Sequence, residues 1–318
     1  MPRTTPDLTL PDLAGRRALV TGGSDGMGVH IVARLAAAGA EVLMPVRDRA
    51  KGEAVADRLR TEAPGARLTV LDLDLSSLAS VHSLAESLVA EGRPLHLLVN
   101  NAGVMTPPQR SVSAEGHELQ LATNHLGHFA LVGGLLPLLR DGRGRVVSQT
   151  SVAARRGPIN WDDLDWQQRY DAMAAYRQSK IAVGLFGLEL ARRSADRGWG
   201  VTSTISHPGV APTSLLAARP EMGRTSDTFS VRVIRRMSSM GLLVGTPESA
   251  ALPALMAATA PQEKNGTFYG PQGPGGTGGR PGELSLWAPL RDEEAARRLW
   301  EVSEELTGLA YESVTGRS

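Results

Sequence analysis

Apolar positions in the first half of the chain follow two periods in turn. Arg16–Thr21 (RRALVT) is a short apolar run that ends in a glycine-rich turn, which predicts a strand. Over Gly26–Ala38, Met27, Ile31 and Leu35 recur at helical spacing with Val32 beside them, and Gly39 stops the helix. Glu41–Val46 (EVLMPV) is a second strand, blemished by Pro45, which cannot donate to a sheet ladder. Asp48–Thr61 follows as a helix with Asp48 placed to cap it. Arg67–Asp72, His96–Val99 and Arg145–Gln149 predict further buried strands, with helices over Leu78–Glu91 and Glu118–Leu139 between them. Strands that alternate with helices imply a doubly wound parallel sheet covered on both faces, an α/β arrangement in three layers.

The alternation continues with a helix over Asp171–Arg193 and a strand over Val201–Ser206, then fails. Residues 211–243 mix Pro, Ser, Met and Arg without periodicity and are expected to form a flap over a bound substrate. Thr246–Ala260 is helical again, and Thr267–Tyr269 makes a last strand. Residues 270–282 (GPQGPGGTGGRPG) are expected to hold no regular structure. Asp292–Leu306 closes the chain as an amphipathic helix with Leu299, Trp300, Val302 and Leu306 on one side. The expected organisation is a tail over 1–13, one catalytic domain over 14–270, and a loop with a terminal helix over 271–318.

The 318 residues suffice for a substantial core. With 34 Lys+Arg against 33 Asp+Glu, the net charge of +1 gives no electrostatic reason to expect nucleic acid or an anionic membrane as partner. The chain has no cysteine, which excludes disulfides, thiolate metal sites and thiol nucleophiles. The opening MPRTTPDLTLPDLAG lacks an apolar core, and Phe129–Leu139 is too short to span a bilayer. No membrane anchor and a cytoplasmic location are therefore expected.

After the first strand comes Thr21-Gly22-Gly23-Ser24-Asp25-Gly26-Met27-Gly28, then a helix. Glycines there permit a tight turn and close approach of a pyrophosphate, and the helix N-terminus offers free N–H groups. The same residues also satisfy Gly-x-Ser-x-Gly, the hydrolase nucleophile elbow. That elbow needs an oxyanion donor from an earlier strand's loop, and only a short tail precedes this strand. At the end of the second strand, an acidic residue binds a ribose 2′-hydroxyl, whereas an arginine accommodates a 2′-phosphate. Arg47 stands there and favours NADP(H) over NAD. Asp25 is discordant unless it caps the helix, since its charge opposes a phosphate.

Further motifs follow in order: Asn100-Asn101-Ala102-Gly103, Asn124, Ser151, Tyr176-x-x-x-Lys180 and Pro208-Gly209. Together with Thr21–Gly28 they make the chain resemble the short-chain dehydrogenase/reductase family over roughly residues 14–270. Val46-Arg47-Asp48, the run from Asp74 and Leu75 to Leu78, Asn124-His125-Leu126-Gly127-His128-Phe129 and the Asp163-Leu164 insert are similar to the branch of retinol dehydrogenases, protochlorophyllide reductase and WW-domain oxidoreductases. The resemblance implies a single Rossmann-like domain and hydride transfer between a nicotinamide and a carbonyl carbon. Tyr176 is then the general acid, Lys180 favours its phenolate and holds the nicotinamide ribose, Ser151 orients the substrate oxygen, and the Asn124 backbone holds a relay water. Cofactor contacts carry over to Thr21, Gly22, Ser24, Asp25, Gly26, Met27, Gly28, Arg47, Asp74, Leu75, Asn101, Ala102, Gly103, Tyr176, Lys180, Pro208, Gly209, Val210 and Thr213. Asp72 rivals Asp74, and His207 is taken as structural.

Three features depart from the pattern. The insert Arg155–Arg169 lengthens the path from Ser151 to Tyr176, and its acidic run is read as a solvated turn. His125 and His128 have no obvious third ligand, so no metal is expected, and they line a pocket or face solvent. Without cysteine, the protochlorophyllide reductase activity is not expected. The leading reading is an NADPH-dependent reductase of a ketone or aldehyde on an apolar small molecule, reversible as an alcohol dehydrogenase. The alternative is a non-catalytic NADP-binding regulator, from which the retained Asn124, Ser151, Tyr176 and Lys180 argue away. The oligomeric state stays open, a homo-oligomer included.

Overall fold

The computed structural model describes residues 7–212 and 245–311. Strands β1 (Arg17–Val20), β2 (Glu41–Val46), β3 (Arg67–Asp72), β4 (Leu97–Asn100), β5 (Arg145–Gln149), β6 (Thr202–Ser206), β7 (Phe268–Pro271) and β8 (Pro281–Leu284) form one sheet in the order β3-β2-β1-β4-β5-β6-β7-β8. Every neighbouring pair is parallel except β7–β8. Alternation along the strands fills two cores. Ala18, Val20, Leu97 and Val99 face one side, where α1 (Gly26–Ala37), α2 (Arg49–Glu62) and α8 (Pro247–Thr259) pack. Leu19, Leu98 and Val146 face the other. There α3 (Leu78–Glu91), α5 (Gly127–Gly134), α6 (Leu136–Asp141) and α7 (Ala172–Arg197) cover the sheet. A terminal helix, α9 (Glu293–Thr307), lies against α7 with Ala296, Leu299 and Trp300 buried. This is a single Rossmann-like α/β domain of three layers, with α9 added outside.

Four expectations need correction. Arg67–Asp72 is a strand but not a buried one: β3 is the sheet edge and alternates exposed and buried positions. The segment 118–139 is not one helix. A short turn α4 (Leu119–Leu121) runs into a widened π turn over Ala122–Leu126 before α5 begins, and the strong apolar character hid the change of pitch. Residues 270–282 do hold regular structure. Gly270 and Pro271 end β7, Pro281 and Gly282 begin β8, and Gln272 N donates to Arg280 O at 2.9 Å across the connection. The run Thr267–Tyr269 is therefore not the last strand. The expected flap 211–243, and Thr213 with it, lies outside the described residues beyond Pro212.

Pro45 is accommodated by register. Pairing of β2 with β1 stops at Leu43, while pairing with β3 continues to Val46. Val46 O accepts from Leu73 N on the β3 side, so the ring nitrogen of Pro45 faces β1, where its missing N–H costs only the last rung of the ladder.

Candidate active site

Strand order reverses between β1 and β4, and a cleft of about 1300 Å3 opens beyond the carboxyl ends of the strands there. One end of it is the turn after β1. Gly22 and Gly26 take positive φ, 66° and 51°. A Cβ on Gly28 would lie 2.1 Å from Gly22 O, so no side chain fits where α1 meets the turn. Asp25 caps α1, accepting from Gly26 N at 2.7 Å, and its other oxygen pairs with Lys51 Nζ at 2.5 Å. Both roles resolve the discordance of an acid beside a phosphate site. Arg47 lines the same end and has no hydrogen-bond or ion-pair partner among the described residues. Asp74 and Leu75 line the cleft, and Asp74 Oδ1 is held by Ser76 N and Oγ at 2.9 and 2.6 Å. Asp72 does not reach the cleft; it pairs with Arg49 at 2.8 Å on the surface.

The turn after β4 is stitched to the turn after β1. Asn101 Nδ2 donates to Thr21 O at 2.8 Å, while Asn101 N and Ala102 N donate to Thr21 Oγ1 at 2.9 and 3.0 Å. Ser24, Met27, Ala102 and Gly103 line the cleft, whereas the side chains of Thr21 and Asn124 are fully buried behind it. A side chain at 103 would be crowded: a Cβ would sit 3.0 Å from Asn124 Oδ1 and 3.4 Å from Lys180 Nζ, so a neighbour would have to give by a few tenths of an ångström.

Tyr176 and Lys180 are one turn apart on α7, and both reach the cleft from buried positions. Lys180 Nζ donates to Gln149 O at 3.1 Å, and burial lowers its pKa to about 8. Burial raises the phenol of Tyr176, and the Ser151 hydroxyl pulls it partly back. Asn124 sits in the π turn, a distortion that recurs at functional positions. Its Nδ2 donates to Val104 O at 3.0 Å and Ser179 Oγ at 2.9 Å, and Val104 N donates to its Oδ1 at 2.8 Å. Asn124 therefore locks the segment after Gly103 to α7.

The insert 155–169 leaves this geometry intact because Gln178 holds it. Asn160 N donates to Gln178 Oε1 at 3.0 Å, and Gln178 Nε2 donates to Leu164 O at 2.8 Å. Its acidic run is not merely a solvated turn: Asp165 is half-buried, contacts His117 Nδ1 at 3.2 Å and accepts from Glu118 N at 2.7 Å. His125 and His128 neither line the cleft nor face solvent. His125 Nε2 contacts Ser303 Oγ at 2.7 Å, and His128 spans Thr21 and Asn124.

Two parts of the site escape the sequence reading. One wall beside Tyr176 consists of Met105, Pro107, Leu119, Val152, Ala153 and Met173. Met105 and Pro107 directly follow Gly103, which was the available signal. The other part is the Gly/Pro-rich connection. Pro208, Gly209 and Val210 line the cleft, and Val210 N donates to Thr277 O at 2.8 Å. Gly209 has φ +75°, and a Cβ there would lie 2.5 Å from Thr277 O. The connection between β7 and β8 thus backs the loop after β6.

A glycine turn feeding a helix, an arginine at the end of β2, and a tyrosine–lysine pair beside a serine define a nicotinamide-dependent oxidoreductase. The short chain dehydrogenase family model matches residues 16–223, and the chain belongs to that family. It is 38% identical to retinol dehydrogenase 13 of Homo sapiens over 95% of this chain and 87% of that protein. Identity to polyprenol dehydrogenase of Mus musculus is 39%, over 94% and 86%. Among solved structures, an uncharacterized protein from Mycobacterium Paratuberculosis matches with a TM-score of 0.76 and 33% identity, covering 95% of this chain and 97% of that one. Pseudomonas aeruginosa RhlG, in an NADP complex, matches with a TM-score of 0.61 and 28% identity over 81% and 94%. No helix among the described residues is long and apolar enough to cross a membrane.

Proposed function

We propose that the protein is a cytoplasmic NADPH-dependent reductase of a ketone or aldehyde group on an apolar small molecule, reversible as an alcohol dehydrogenase. The observation that carries this reading is one cleft with two ends: Tyr176, Lys180 and Ser151 line one, and the glycine turn lines the other with Arg47, which has no partner among the described residues. The turn fits a dinucleotide, since Gly22 and Gly26 take left-handed backbone and Gly28 lets the start of α1 close on the turn as no side chain would allow. Gly22–Gly28 would hold its pyrophosphate, Arg47 its 2′-phosphate, and Pro208–Val210 its carboxamide end. When bound, the nicotinamide supplies the hydride.

The residues of this chain supply the proton and the orientation. Tyr176 keeps its proton at neutral pH because burial raises its pKa, which suits a donor to the carbonyl oxygen. Ser151 has a single proton to donate: it favours the Tyr176 phenolate in this structure, and with substrate bound it would turn that donor to the carbonyl oxygen. Lys180, charged below about pH 8, adds positive potential and a donor for a ribose hydroxyl. The apolar lining of Met105, Pro107, Leu119 and the exposed Met173 suits a bulky apolar substrate, because methionine adapts its shape. The names of the relatives, a retinol and a polyprenol dehydrogenase, agree with such a substrate. NADPH oxidation by the purified protein, followed over a panel of apolar ketones and aldehydes, tests the reading. A protein that binds NADPH and oxidises it with none of them would be a regulator instead.

A further inference from the structure

We propose that His128 is a positioning residue: its ring ties Thr21, at the start of the glycine turn, to the carbonyl of Asn124 and so sets Asn124 against Ser179, the neighbour of Lys180 on α7. The inference rests on the reductase reading above for its catalytic consequence, but the geometry stands apart from it. His128 lies on α5, four residues beyond Asn124, with the widened π turn between them. Its Nδ1 is 2.9 Å from Asn124 O, and its Nε2 is 2.9 Å from Thr21 Oγ1.

Those two partners decide the tautomer. A carbonyl oxygen carries no proton, so Nδ1 must be the protonated nitrogen. Burial, aided by the nearby Lys180 charge and opposed by the hydrogen bond to Asn124 O, lowers the pKa of the ring to about 4, so at neutral pH Nε2 is bare and accepts. Thr21 Oγ1 already accepts from Asn101 N and Ala102 N. Its own proton then goes to Nε2 at 2.9 Å in preference to Val99 O at 3.3 Å. Each donor among these groups finds an acceptor under this one assignment.

One neutral ring therefore joins the turn after β1, the turn after β4 and the π turn. The Asn124 side chain in turn holds Val104 and Ser179, the residue before Lys180 on α7. A shift in Asn124 therefore reaches Val104 and Ser179 directly, and Lys180 through α7. His125 offers no substitute, because its ring turns to Ser303 on α9. The role acts through Asn124 and Thr21, not on substrate, since His128 does not line the cleft.

Two measurements test this. Nitrogen-15 NMR of histidine-labelled wild type reads the tautomer without any turnover: His128 is expected as the neutral Nδ1–H form from pH 8 down to about pH 5. The Nε2–H form, or a ring that charges near pH 6.5, overturns the proposal whatever the protein catalyses. Kinetics read the consequence. His128→Leu is expected to lower kcat roughly tenfold, a modest loss for a positioning group. His128→Asn puts an amide nitrogen near the place of Nδ1 and should recover part of that loss. His128→Gln reaches the place of Nε2 instead and should not, while it should hold NADPH better than His128→Asn. Equal losses in the Asn and Gln variants, with equal drops in thermal midpoint, would show a packing role and overturn the proposal. No turnover in wild type would count against the reductase reading alone, and the NMR result would still decide this one.

Discussion

Asp25 and Lys51 neutralise each other across the adenosine end of the cleft, Nζ to Oδ2 at 2.5 Å, while Asp25 also caps α1. The pair removes one acid and one base from the competition for a phosphate. Arg47 is left as the cation at that end with no partner among the described residues.

Cofactor preference should therefore reside in Arg47. A charge-assisted hydrogen bond contributes about 2 kcal/mol, or roughly thirtyfold in affinity. Arg47→Asp is expected to lose at least that much NADPH affinity and to bind NADH as well or better. Titration of wild type and variant with both cofactors checks it. Equal wild-type affinities for NADH and NADPH would remove the basis for the assignment.

The rate should depend on the charge of Lys180. Burial depresses its pKa to about 8, so the ammonium is present below that pH and lost above it. Turnover in the reductive direction is expected to fall as pH rises through about 8. A pH–rate profile that stays flat to pH 10 would show that the charge of Lys180 is not used.

Acid stability offers an independent check on the buried histidines. His125, His128 and His207 have folded pKa values of about 3, 4 and 3, against 6.5 in the unfolded chain, because burial penalises the charged ring. As pH falls below 6.5 the unfolded chain takes up protons first, so stability is full above 6.5 and declines toward 4. Each histidine contributes up to about 1.4 kcal/mol of loss per pH unit in that window. The thermal midpoint should drop clearly between pH 7 and pH 5, before carboxylates titrate. An unchanged midpoint would contradict the burial of these rings.

The β7–β8 connection should matter to cofactor binding although it is remote in sequence. Gly279 has φ +113°, and a Cβ there would lie 2.8 Å from Gly273 N, whose hydrogen bond to Gly278 O shapes the loop. Gly279→Ala is expected to displace Thr277 O from Val210 N and raise KM for NADPH severalfold, with little change in thermal midpoint. An unaltered KM would show that Val210 is held without this support.

Much of this architecture was legible in the residues. The strands from Arg67–Asp72 and Arg145–Gln149, the helix Leu78–Glu91 and the cap Asp48 follow from periodicity and capping chemistry alone. Motif order likewise led to the family. What stayed hidden was set by packing across the sequence. The π turn at Ala122–Leu126 has no signature in an apolar helical run, since pitch there depends on what Asn124 and His128 find to bond. The strand in GPQGPGGTGGRPG is an edge strand that needs few side chains, so composition argued against it. The buried histidines were misread because their partners, Thr21 and Ser303, are distant in the chain.

The most direct test of the proposed chemistry is a comparison of Tyr176→Phe with wild type. The substitution removes the phenolic oxygen and leaves the ring, so the packing of α7 is retained. General acid catalysis accounts for about 10²-fold or more in rate. NADPH should bind both proteins with nearly equal affinity, while carbonyl-dependent NADPH oxidation in the variant falls by that factor or to background. Turnover in Tyr176→Phe equal to wild type would contradict the assignment of Tyr176 as proton donor.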